Sequence, residues 1–200
     1  MRFFIAILGL LVMALHSCVS NMPVVEEKKQ GLSYRVNQKL YDEADSRLTE
    51  VKVSLWDQKA WLLNEKGQVL LETDVSTGID GRETPARSYT VLEKLEQKRS
   101  NRYGRYVSNE TGEIVVEKAW EHQGGAPEGT VYRGIAMPYW MRLTWYGIGM
   151  HVGGFEQRVR TSFGCIRVYE KAQPWIYKKI EVGSKVEVVA ESLLIEMAGR

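Results

Sequence analysis

The sequence predicts a mainly β domain with one or two short helices. Three observations point there. From Val51 onward apolar residues alternate with polar ones, as in Val51, Val53 and Leu55, which is the period of a half-buried strand. Two tetrapeptides ending in glycine, Asn64-Glu65-Lys66-Gly67 and Asn109-Glu110-Thr111-Gly112, each separate two apolar runs, as hairpin turns do. The composition, with 18 glycines, six tryptophans and ten tyrosines, is that of strands joined by many turns.

Taken in order, the chain begins with Met1-Arg2 and an apolar run over residues 3–15. A helix needs about 20 apolar residues to span a bilayer, whereas a signal-peptide core needs about 7–15. Residues 1–17 therefore read as an export leader. Leu15-His16-Ser17-Cys18 resembles a bacterial lipobox, with His16 where a small residue is usual, and assigns lipidation to Cys18. The chain is then expected to be an exported, periplasmic or cell-envelope lipoprotein, held to a membrane through a lipid anchor at Cys18. Residues 18–32 carry the charge run Glu26-Glu27-Lys28-Lys29 and no periodicity, and read as a tether.

Within residues 33–50, Val36, Leu40, Tyr41, Ala44 and Leu48 recur at intervals of about four and predict an N-terminal amphipathic helix over residues 34–48. Residues 51–190 form the main domain. Strands are expected at 51–55, 60–63, 69–71, 105–108 and 113–116, with a glycine-rich loop at 124–129 and one or two strands within 139–150. A helix is expected at 170–179 and a last strand at 185–189. Residues 191–200 read as a frayed tail. Roughly 180 residues after the leader are enough for one hydrophobic core. The 27 basic residues nearly balance the 25 acidic ones, and no Lys/Arg cluster stands out, so nucleic acid is not an expected partner.

Two cysteines stand in the chain. If Cys18 carries lipid, Cys165 is left as an unpaired thiol in an oxidising compartment, which calls for a chemical role. His151 lies upstream in Gly147-Ile148-Gly149-Met150-His151-Val152-Gly153-Gly154. So many glycines are costly in a strand and make sense where another chain must approach closely. Imidazole exchanges protons near neutral pH, and a thiol becomes a nucleophile when a base takes its proton. Gly164 allows a sharp turn before Cys165. Arg167 would share a face with Cys165 in an extended segment and can grip a carboxylate through two parallel hydrogen bonds. The residues alone also admit a plainer reading, with a packing cysteine, a structural histidine, a salt-bridged Arg167 and a turn-forming Ser162. After the leader only His122 and His151 remain, without close Cys or His spacing, so no metal site is expected.

Gly149-Met150-His151-Val152-Gly153 followed by Ser162-Phe163-Gly164-Cys165-Ile166-Arg167 resembles the L,D-transpeptidase, or YkuD-like, family. Val75-Ser76-Thr77-Gly78, Thr84-Pro85 and Met137-Pro138-Tyr139-Trp140 fit the same pattern upstream. The resemblance implies a sandwich-like, mainly β catalytic domain with its thiol at the end of a strand or in the loop beyond. It implies that Cys165 attacks a peptidoglycan stem tetrapeptide, forms a thioester, and passes the acyl group to an amine to give a 3→3 cross-link. His151 would act as base and acid, and the Gly164 and Cys165 backbone would contribute to the oxyanion site. Arg167, Ser162, Gly153 and Tyr139 would contact substrate. The chemistry requires no cofactor. An L,D-carboxypeptidase, and a catalytically silent wall-binding lipoprotein, are the alternatives. Two positions depart from the pattern. Phe163 replaces a usual histidine and cannot move a proton, so that histidine is expected to be dispensable. Arg87 replaces a usual glycine and demands either a different backbone angle or a tolerated positive φ.

Overall fold

The computed structural model describes residues 24–29 and 31–200. The leader and Cys18 lie outside the described residues. In chain order the elements are β1 Val24–Lys29, β2 Leu32–Asn37, α1 Gln38–Glu43, a 3-10 turn Ser46–Leu48, β3 Glu50–Ser54, β4 Lys59–Leu63, β5 Val69–Ser76, β6 Ser88–Thr90 and β7 Glu93–Leu95. They continue with β8 Arg99–Ser108, β9 Ile114–Val116, β10 Thr130–Ala136, β11 Trp140–Arg142, β12 Gly149–Val152, β13 Ile166–Val168, α2 Gln173–Lys179, β14 Lys185–Val189 and α3 Leu194–Ala198.

One large sheet runs β6-β14-β3-β4-β5-β13-β12-β11-β7, with β2 also on β5 and β1 on β2. β5 is the strand that joins its two halves. Residues 69–74 pair with β4, while Val75 and Ser76 pair with Val168 and Arg167 of β13. The halves therefore fold over one another as a mainly β sandwich. Val51, Val53, Leu62 and Val186 from one half share a buried cluster with Met141, Met150, Ile166 and Val168 from the other. Ala172 and Ile176 place α2 in the same cluster. Burying one such side chain contributes about 1.5–3 kcal/mol.

Three expectations are corrected. Residues 34–48 are not one helix. Leu32, Tyr34 and Val36 are buried at alternate positions and β2 pairs with β5, so the period of two prevails over the spacing of four. Asn37 then starts a short α1, its side chain accepting from the Leu40 amide at 3.2 Å. The tether gives way to β1, which pairs antiparallel with β2; a backbone ladder needs only N–H and C=O groups and tolerates the charge run. The C-terminal tail is ordered. Leu193 and Met197 close over Trp61 and Leu63 on the outer face of β4, forming a second small core. Leu193 also donates its amide to Asp57 at 2.8 Å.

The hairpin at 105–116 forms, but within a separate three-stranded sheet ordered β10-β8-β9. This sheet leaves the main one after β7 and returns before β11. The other hairpin, β4–β5, turns at the expected tetrapeptide, where the Asn64 carboxamide accepts from the amides of Lys66 and Gln68 at 3.1 and 2.9 Å.

Candidate active site

β12 and β13 run side by side, in parallel, with His151 opposite Arg167. Met150, Ile166 and Val168 face the core, so His151 and Arg167 project from the other side of the sheet. Cys165 immediately precedes β13. The sulfur thus sits at the start of a strand, not at the end of one as expected. Extending the register sets Cys165 across from Gly149, with His151 two residues further along. Strand spacing and rise make that diagonal about 8 Å between Cα atoms. The Arg167 guanidinium acts electrostatically on both groups.

His151 is 5 % exposed. Its Nδ1 lies 2.7 Å from the carbonyl oxygen of Val152. A carbonyl can only accept, so Nδ1 carries the proton and Nε2 keeps the lone pair. The ring packs against Trp140, with centroids 5.7 Å apart. Trp140 is held in turn by its indole N–H, which donates to Glu93 at 3.2 Å. Burial and the nearby Arg167 cation drive the imidazole down to about 4, against the partial support of the Val152 carbonyl. His151 is therefore a neutral base near pH 7.

Cys165 is a free, half-buried thiol whose Sγ lies 3.6 Å from the Gly147 carbonyl. Burial pushes its pKa up, while the Gly149 amide and Arg167 pull it back. Thiol and imidazole are both neutral at rest, and the proton moves only when a reaction demands it.

The turn that presents Cys165 is held from several sides. Gly164 has φ +108, a conformation that a side chain strains. The buried Ser162 hydroxyl donates to the Cys165 carbonyl at 2.5 Å and accepts from the Gly164 amide at 3.1 Å. Thr84 donates to the Gly164 carbonyl at 2.8 Å. The amide of Ser162 donates to Thr77, which is itself fixed by the Gln58 carboxamide.

These contacts revise three assignments. Ser162, expected to touch substrate, has its hydroxyl turned inward and supports the loop. The Gly164 amide, expected at the oxyanion site, is occupied by Ser162, which leaves the Cys165 amide from that pair. Tyr139 packs its ring on Tyr177 of α2 at 5.4 Å, and its carbonyl accepts from Gln173 at 2.8 Å. It therefore belongs to the α2 side of the sheet.

Gly153 and Arg167 stay with the site. A Cβ at Gly153 would lie 2.5 Å from Arg167 Cγ, so the glycine is what lets the arginine stem cross. Gly153 also lines a recess of about 160 Å³ with Val152, Gly154 and Phe155. The Arg167 guanidinium donates to Thr161 at 3.3 Å. Phe163 points outward, 38 % exposed. Among the described residues the positive-φ positions other than glycine are Gln58 and Tyr139, so Arg87 takes the first of its two alternatives, an ordinary backbone angle. Its guanidinium donates to the Tyr146 hydroxyl at 2.7 Å.

The sequence left Gln58, Thr77 and Trp140 without a role at this site. Val75-Ser76-Thr77-Gly78 fitted the family pattern, but no local signal showed that the Thr77 carbonyl holds the cysteine loop.

Residues 49–188 match the family model for the YkuD L,D-transpeptidase catalytic domain. No curated protein matches. Among solved structures, an L,D-transpeptidase from Mycobacterium smegmatis is similar with a TM-score of 0.52 and 18 % identity, over 72 % of this chain and 59 % of that one. An L,D-transpeptidase from Stackebrandtia nassauensis gives 0.52 and 18 %, over 74 % and 58 %. The L,D-transpeptidase LdtMt1 in complex with imipenem gives 0.52 and 17 %, over 84 % and 79 %. The chain spans just under three fifths of the length of the first two. With the family model covering most of its length and the fold agreeing, the chain belongs to the YkuD family of L,D-transpeptidase catalytic domains.

Proposed function

We propose that this chain is a cysteine-dependent L,D-transpeptidase of peptidoglycan stem tetrapeptides. The observation that carries this reading is the pairing of β12 with β13. It sets a neutral imidazole, a half-buried thiol and a guanidinium on one face of the sheet.

In the first half-reaction Cys165 Sγ–H gives its proton to His151 Nε2. The sulfur attacks the carbonyl carbon before the terminal D-residue, and the C=O electron pair moves onto oxygen. The Cys165 N–H supports that oxyanion. Collapse breaks the C–N bond, the leaving amine takes the proton from His151, and a thioester remains. In the second half an acceptor amine attacks the thioester and His151 removes its proton. The C–S bond breaks, and the proton returns to sulfur. No external energy source is consumed, because one amide is exchanged for another. Arg167 binds the donor peptide, a guanidinium suiting its carboxylates. The export leader and Cys18 support a cell-envelope lipoprotein anchored where peptidoglycan lies.

Purified protein incubated with defined tetrapeptide muropeptides, followed by mass spectrometry, tests the reading. Dimers are expected, and they should disappear in Cys165→Ser, because a hydroxyl ionises far less readily than a thiol. Tripeptide as the sole product would make the enzyme a carboxypeptidase. Unchanged substrate would leave a wall binder. Retention of labelled fatty acid by the wild type but not by Cys18→Ala tests the anchor.

A further inference from the structure

Phe163 stands between the two residues that shape the nucleophile turn, Ser162 and Gly164. Its ring meets the three-stranded sheet. The Tyr103 ring of β8 lies 5.1 Å away, tilted by 52°. Trp120, beyond β9, approaches edge-on at 6.3 Å and also packs on Tyr103 at 5.4 Å. The Arg82 guanidinium caps the Phe163 ring at 4.3 Å and donates to the Tyr103 hydroxyl at 3.2 Å. Two rings and a cation thus close around one side chain. Such contacts are individually worth little but share their geometry.

The surroundings make this cluster consequential. None of the residues of β8, β9 or β10 belongs to either buried core. The sheet is joined to the main body at its two chain connections, after β7 and before β11. Tyr103 and Trp120 add a third point of attachment, and it falls on the turn that carries Cys165. The other side of that turn is already fixed by Thr77 and Thr84.

We infer that Phe163 is a positioning residue, clamping the cysteine turn to the three-stranded sheet through Tyr103, Trp120 and Arg82, so that the seating of the sheet sets the reach of the thiol. The inference rests on the proposed reaction only for its effect on turnover. Its core is a mechanical link, readable without any substrate.

Two readouts test it. The first is the rate at which iodoacetamide alkylates Cys165 at pH 8. Loosening the turn uncovers the half-buried sulfur, so Phe163→Ala should raise that rate at least threefold, and Tyr103→Ala should raise it similarly from a different sheet. The double variant should match either single one, since both cut the same link. Phe163→Tyr, which keeps the ring, should restore the wild-type rate. The second readout is hydrogen exchange, which should quicken over residues 99–136 in Phe163→Ala. If turnover on muropeptides is measurable, kcat should fall at least tenfold with KM changed less than threefold. Unchanged alkylation and exchange in Phe163→Ala would overturn the inference, as would fully additive effects of the two substitutions or failure of tyrosine to restore the rate. Because alkylation and exchange need no transpeptidase activity, failure of the proposed reaction and failure of this link are separable.

Discussion

At the scale of single residues, the protonation state of His151 bears on stability, and on the proposed chemistry. Its imidazole is held at about 4 in the folded chain by burial and by Arg167, against an ordinary value of 6.5. Between those pH values the unfolded chain takes up a proton that the folded chain refuses. The stabilisation is complete above pH 6.5 and is lost as pH falls toward 4, amounting to on the order of 3 kcal/mol. Urea midpoints measured from pH 7.5 to 4 should fall accordingly, and His151→Gln should flatten that part of the slope. An unchanged slope in the variant would assign the loss to other groups. In the sequence, the family resemblance grouped Cys165, His151 and Arg167, while the residues alone left a plainer reading open. It did not show that Ser162 faces inward, that the Gly164 amide is occupied, or that Tyr139 turns to α2. Those outcomes depend on contacts with Thr77, Thr84 and Tyr177, which are distant in sequence.

At the scale of elements, strands and hairpins with clear periods were legible, and mixed signals were not. The segment at 34–48 carries both a spacing of four and the alternation Leu32, Tyr34, Val36. The choice between them is made by the free edge of β5, which no local pattern encodes. The C-terminal helix α3 escaped for a similar reason: it has two apolar anchors, Leu193 and Met197, and little periodicity beyond them. Their partners, Trp61 and Leu63, are both fully buried under that helix. Met197→Ala should therefore cost about 2–3 kcal/mol in a urea melt, the usual cost of emptying a buried methionine site. A loss below about 0.5 kcal/mol, within the usual range for surface substitutions, would mean that residues 191–200 are a frayed tail after all.

At the scale of the whole molecule, a sandwich core fixes one side of the site and a lightly attached sheet touches the other. The main sheet supplies precision. β12 and β13 are paired in parallel, their core-facing residues are fully buried, and the functional side chains stand on the opposite face. The three-stranded sheet meets that face at Phe163, so a change in its seating is transmitted to the cysteine turn. The resemblance marked Phe163 as a departure in chemistry. The structure gives it a mechanical place instead, in a cluster whose other members come from positions 82, 103 and 120.

The central claim is that the Cys165 sulfur, deprotonated by His151, carries the acyl group. Mixing the protein with a tetrapeptide stem, quenching within seconds and mapping the digested protein by mass spectrometry tests it most directly. The predicted result is a tripeptide thioester on the fragment containing Cys165, absent in Cys165→Ser and formed at least a hundredfold more slowly in His151→Gln. Product release without any adduct on that fragment, or an adduct that forms as fast without the imidazole, would contradict the account.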